Sequence, residues 1–451
     1  MTLDNRSPRI VSMDQFRGYT VAGMLLVNYI GDMDAFHDVL KHHSVYFSYA
    51  DSIMPSFLFA VGYSFRLTVL RRLPQLGTTR TCWTYVRRSL SLILISLMFF
   101  GFGAREEVFG DWQNYSWQAA WHLVTRIIKA DLWETLALIG VTQIFLLPFI
   151  GKSLKFRAIT LLVCLAMHAV LAYLFNFNFV HQQPNAFEDL LVKYFDWGAT
   201  DKRCWESGPF GILNWSVAML SGAIAYDIVS GNTAGKAVGK LLSLGVLLMA
   251  AGYSFSCMTR LYDVDKGEGE GVTDATTADS SSATESRSGH DAVEPSSVPW
   301  GAPPQDLQRF AVSPVLPPLG RAQGRDIKSL LAEPPFMPPP DQSVRRINYW
   351  MMTKQLPSPS FILFASGFAF ALFSLFVIAC DIGPVRIGLF RTFGQNPLAT
   401  YLLHYVVALT LHTVSPNDAP LSYCLASVAV FFLIVYGLIR GLEKQGIYIR
   451  L

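Results

Sequence analysis

The sequence predicts an all-α membrane protein of about ten transmembrane helices with one long disordered external insertion. Three observations carry this reading. Only 15% of the 451 residues are charged, against about 25% in soluble domains. The apolar residues fall in blocks of about 17–25, the length a helix needs to cross a bilayer. One stretch, 262–345, breaks the pattern with Gly, Ser, Thr, Pro and acidic residues. It holds too little apolar surface to offset the entropy of ordering it.

The spans are expected near 15–32, 51–70, 87–104, 132–150, 156–175, 210–229, 237–256, 358–380, 394–413 and 420–440. The chain thus divides into a seven-span part (1–261), the insertion (262–345) and a three-span part of the same bundle (346–451). Within the insertion only "RDIKSLLAE" reads as a short helix, and His290 reads as solvated. Basic residues cluster in alternate loops, among them Arg71, Arg72, Arg80, Arg87 and Arg88 after span two and Arg440, Lys444 and Arg450 after span ten. The positive-inside rule places these loops and both termini in the cytoplasm. No continuous apolar run precedes span one, so span one itself is expected to direct insertion. A plasma or inner membrane is expected rather than an organelle. The net charge of +3 carries little information, and no basic-aromatic surface points to nucleic acid. A homodimer is compatible with this reading.

The six cysteines show no metal-ligand spacing. Cys164, Cys380 and Cys424 read as small core residues. Cys204 and Cys257 fall on one side, which leaves a disulfide open. Asn114 opens an external "NYS" sequon.

Several polar residues stand where a bilayer should exclude them. Asp14 and Arg17 are three apart on one face of span one. They read either as an interfacial salt bridge or as a contact to a charged ligand. Asn28, near the outer end of that span, reads as an interhelical hydrogen bond or as a group that orients a catalytic residue. Between spans one and two lie Asp32, Asp34, His37, Asp38, His42, His43 and Asp51. The spacing fits no known metal motif, so no metal is expected. The loop is either merely solvated or an acid/base site, in which a neutral imidazole accepts a proton and Asp51 fixes its tautomer. Asp51 also stands where it would cap span two.

Asn396, Tyr401 and His404 fall in span nine, with Asn396 and His404 two turns apart on one face. Ionisable groups inside a span usually face the bundle interior, although a neutral packing histidine is the plain alternative. Lys354, just before span eight, reads as an interfacial lysine that snorkels. Gln143 reads as a helix-packing amide.

Together these residues resemble the heparan-α-glucosaminide N-acetyltransferase family. The family opening S-x-D-x-F-R-G is matched by Ser12, Asp14, Phe16, Arg17 and Gly18. Its Asn-Tyr pair is matched by Asn28 and Tyr29, and its Ala-Asp before an apolar run with proline by Ala50, Asp51 and Pro55. "TKQLPSPSFILFASGFAF", with Lys354, is similar to the family's lysine-bearing stretch. "GQNPLATYLLHYV" is similar to its Asn-plus-His stretch, and "GPFGILNWSVAMLSGAIAYD" to its mid-chain span. The resemblance implies transmembrane acetyl transfer, with acetyl-CoA as co-substrate and a sugar or glycan amine on the far side as acceptor. It implies a catalytic histidine, here His42 or His43. Asp51 and Asn28 would join it, and Asp14, Arg17, Lys354, Asn396, Tyr401 and His404 would bind substrate or cofactor.

The sequence departs from the family at several points. The histidine-to-aspartate spacing is one or two residues short, which leaves His42 and His43 in competition, with His42 favoured. Ile144 stands where an arginine is usual, Phe210 where an acidic residue is usual, and Tyr405 where an acidic residue is common. The insertion is not a general feature. Two rival functions stay open: a transporter or permease with His404 and Asn396 along its path, and a catalytically inactive membrane scaffold.

Overall fold

Each apolar block of the sequence becomes a helix because a bilayer offers backbone amides no partners outside the chain itself. The computed structural model describes residues 11–100, 116–181, 183, 186–195, 206–264, 310–340 and 345–449. The helices used below are α1 (Val11–Ile30), α2 (Tyr49–Phe100), α3 (Trp117–Lys129), α4 (Thr135–Ile150), α5 (Leu154–Leu171) and α6 (Ala186–Phe195). They continue with α7 (Gly208–Ser230), α8 (Ala234–Ser256), α9 (Pro359–Val377), α10 (Gly388–Gln395), α11 (Pro397–His412) and α12 (Leu421–Lys444). Among the described residues there is no strand, only two isolated bridges.

Every predicted span falls on one of these helices, but the number able to cross a membrane is smaller. Six described helices are long and apolar enough, or seven if the pair α3 and α4, bent by 81°, counts as one span. Part of the difference is α2, which carries spans two and three in one helix and breaks only at Gly77, where φ is +72°. The rest is α1, whose polar residues dilute its hydropathy, and α11, which has only 16 residues. The protein is an integral membrane protein.

The middle of the bundle is set by α2, α7 and α9. In α2 and α9, 67% of the most apolar window is buried, against 22% in α8 and 28% in α12. The outer helices turn Ile159, Leu162, Leu247 and Leu433 outward, which is the face a bilayer covers. Gly62 and Gly222 let α2 and α7 cross at backbone contact: a Cβ on Gly62 would overlap the Met219 carbonyl, and one on Gly222 the Phe59 carbonyl.

The predicted insertion is only partly described. Residues 265–309, His290 and the Asn114 sequon lie outside the described residues, as does the Cys204 half of the Cys204–Cys257 pairing. Residues 310–340 form a strap on the protein. Phe310 packs edge-on to His181, with ring centroids 5.4 Å apart. The Phe336 amide donates to Phe47 O at 2.7 Å. Tyr253 Oη donates to Ala332 O at 2.7 Å. Arg345 bridges Asp263 and Glu333 at 3.0 and 2.6 Å. Average composition hides these anchors, because a few aromatic residues in a polar stretch suffice to dock it. The short helix foreseen in "RDIKSLLAE" is present at Ile327–Leu330.

Candidate active site

Two helix ends build the core of the site. Ser48 caps α2: its hydroxyl accepts the Asp51 amide at 3.2 Å. In return Asp51 Oδ2 accepts the Ser48 amide at 3.1 Å and hydroxyl at 2.9 Å. This reciprocal capping box locks the Asp51 carboxylate, which is fully buried. Its other oxygen, Oδ1, accepts His42 Nδ1–H at 2.8 Å. The sequence placed Asp51 itself as the cap; the cap is Ser48, and the S-x-x-D spacing was the signal for it.

That bond fixes the His42 tautomer, with the proton on Nδ1 and the basic lone pair on Nε2. His43 is built differently. Its Nε2–H donates to Asp38 O at 2.6 Å and its ring stacks on Tyr46 at 4.3 Å. Burial, helped by the charges of Asp38 and Asp51, pushes the Tyr46 hydroxyl up to about 12. His43 therefore leans on a neutral phenol, and only His42 is joined to Asp51.

A cavity of about 670 Å³ opens beside this pair. Of the polar residues singled out in the sequence, Asn28, Asp32, His42, His43, Asp51, Lys354, Tyr401, His404 and Tyr405 line it. His404 Nδ1–H donates to Tyr401 O, so its Nε2 faces Asn28, whose amide approaches to 3.4 Å. Tyr401 and Tyr405 share a hydroxyl contact of 3.1 Å.

Three residues on the list lie elsewhere. Arg17 reaches Asp14 at 2.8 Å, Gly394 O at 2.8 Å and Ser64 Oγ at 3.3 Å, which ties α1 to α10. Asp14 borders a separate recess of about 330 Å³ with Arg386 and Arg391. Asn396 precedes α11 and holds the C-terminal tail, donating to Ile447 O at 3.2 Å and accepting Ile449 N–H at 3.1 Å. It shares a helix face with His404, but eight residues amount to about 12 Å along the axis, so it does not reach the cavity.

Sequence reading missed two cavity carboxylates, Glu134 and Glu206. Glu206 pairs with Lys354 at 2.8 Å, so Lys354 is held by an ion pair and does not snorkel. Phe210 stands edge-on to Phe175 at 5.8 Å and does not line the cavity. Gln143 accepts the Ser89 hydroxyl at 3.3 Å, a helix-packing contact. Among the described residues no three His, Cys, Asp or Glu side chains gather as a metal site requires.

The fold thus defines an integral membrane protein with a cavity on whose wall an imidazole and a buried carboxylate are hydrogen-bonded to each other. Residues 9–251, more than half of the chain, match the model of the heparan-alpha-glucosaminide N-acetyltransferase catalytic region, and the protein belongs to that acetyltransferase family. The match spans α1 to α8 and contains Asn28, His42, Asp51, Glu134 and Glu206. No curated protein matches the chain.

Proposed function

We propose that the protein transfers the acetyl group of acetyl-CoA to the amine of a sugar or glycan on the non-cytoplasmic side of its membrane. The observation that carries this reading is the 2.8 Å bond from His42 Nδ1 to the buried Asp51 inside a cavity large enough for a sugar and a thioester. His42 acts as general base through Nε2, and Asp51 stabilises the imidazolium that forms. The acceptor nitrogen attacks the thioester carbonyl and a C–N bond forms. His42 takes the nitrogen's proton. The tetrahedral intermediate then breaks its C–S bond, and the CoA thiolate receives that proton from His42. Asn28, held toward the cavity by His404, donates its amide N–H to the oxyanion. A transient acetyl-imidazole on His42 is the same chemistry in two steps. The positive-inside pattern supports a cytoplasmic N-terminus, with the cavity at the far end of α1.

The test uses purified protein in detergent, radiolabelled acetyl-CoA and glucosamine. Loss of about 10²–10⁴-fold in turnover for His42→Ala, with His43→Ala within a few fold of wild type, is the expected result. Equal labelling by wild type and His42→Ala would remove the base from the mechanism.

A further inference from the structure

The turn that leads into α7 is strained. Ser207 has φ +72° and Gly208 φ +61°, back to back in the left-handed region. A non-glycine residue held there is strained, and such strain persists only where the surroundings impose it. Here they do. The Asn176 amide donates to both Ser207 O and Ser207 Oγ at 3.1 Å. The Trp215 indole N–H donates to Glu206 O at 3.1 Å. Asn176, Ser207 and Trp215 are all fully buried. What this scaffold presents to the cavity is the Glu206 carboxylate.

Its partner is held as firmly. The loop that carries Lys354 is anchored by the Asn214 amide, which donates to Pro357 O and meets His168 Nδ1 at 2.8 Å. On the other side of Lys354, Ser360 Oγ donates to Trp350 O at 2.9 Å. An ion pair kept only for stability gains little from burial and needs no strained turn. Two rigid loops that bring one carboxylate and one ammonium to the wall of a reaction cavity fit a recognition role.

We infer that Glu206, steadied by Lys354, recognises the ammonium of the incoming acceptor and makes the site select amines over hydroxyls; the bound ammonium releases one proton to water before its nitrogen attacks, and His42 takes the second as the C–N bond forms. The inference rests on the acetyl-transfer reading for its chemistry. A carboxylate offers about four acceptor positions, so Glu206 holds the Lys354 ammonium and an acceptor N–H together. Lys354, 2.8 Å from Glu206, holds one side of the carboxylate and repels the acceptor cation from that side. Asp32, Asp51 and Glu134 line the same cavity and add to its negative charge. A hydroxyl acceptor still hydrogen-bonds to the carboxylate but brings no positive charge, so it lacks the ion-pair attraction that an ammonium gains there.

The experiment compares glucosamine with glucose, which carries a hydroxyl in place of the amine. It uses wild type, Glu206→Gln and Glu206→Asp of the full chain. Binding is read by calorimetry without acetyl-CoA, and KM and kcat by label transfer. Glu206→Gln should weaken glucosamine binding and raise its KM about 10–100-fold, the range for a hydrogen bond to a charged group. Glucose binding should change by no more than a few fold, the KM for acetyl-CoA should stay unchanged, and Glu206→Asp should recover part of the loss. Equal glucosamine affinity in wild type and a folded Glu206→Gln would overturn the inference whatever the turnover. Glucosamine binding that depends on Glu206, in a protein that transfers no acetyl group, would instead sink the acetyl-transfer reading and leave this one standing.

Discussion

His42 and His43 are adjacent in sequence and have different surroundings. One donates to a buried carboxylate; the other donates to a backbone carbonyl and stacks on a tyrosine. Asp51→Asn therefore tests more than a charge. The amide keeps the capping box with Ser48, yet its NH₂ favours the other His42 tautomer and moves the lone pair off Nε2. Turnover should fall about 10²-fold or more, with thermal stability close to wild type and little change in acceptor KM. A variant as active as wild type would mean that Asp51 serves only as a helix cap. Residue types marked this loop in the sequence as either a solvated stretch or an acid/base site, and the fold brings two of its residues, His42 and Asp51, together at 2.8 Å. The choice between His42 and His43 was not legible. It depends on the three-residue helical turn at Asp38–Leu40 and the loop after it, which decide which ring turns toward α2. Glu134 and Glu206 were missed because each sits in an irregular connection with no periodic pattern to place it.

At the scale of the element, the strap at 310–340 reaches the site. Phe336 packs on Phe47 at 5.4 Å, one residue before the Ser48 that locks Asp51. Phe336→Ala should loosen the strap by about 2 kcal/mol, the scale of burying one large apolar side chain. Faster proteolysis within 319–331 would report it. Acid should loosen the strap in two windows. Burial holds His181, which packs against Phe310, down to about 4. Its neutral form is therefore favoured when the strap is docked. The stability it lends is complete above about 6.5 and is lost as pH falls from there toward about 4. Burial alone would raise the Glu333 carboxyl, but hydrogen bonds and charge from Arg345, with Arg260, hold it below the usual range. Its contribution is present above about 4.3 and is lost as pH falls through its lowered value. Protection factors across 310–340, taken relative to the intrinsic exchange rate at each pH, should therefore fall below about pH 6 and again below about pH 4. Protection that stays constant from pH 7 to 3 would contradict both assignments.

Across the whole molecule, apolar block length placed the helices well, since a bilayer imposes that length on any crossing segment. It counted spans less well. α1 is largely buried by its neighbours and need not be apolar all round, and α11 is a short helix of 16 residues. The same burial makes α1 a column between two polar sites: the Asp14–Arg17 pair at one end, and Asn28 beside the cavity at the other. The central claim is that acetyl groups enter from the α1 N-terminal side and leave on an amine at the cavity side through His42. The most direct measurement uses sealed proteoliposomes of uniformly oriented protein. Labelled acetyl-CoA is given on the N-terminal side and glucosamine is enclosed on the other. The account predicts that label accumulates on the enclosed glucosamine with wild type and His43→Ala, and not with His42→Ala. Labelling by His42→Ala at the wild-type rate, or none at all by folded wild type, would contradict it.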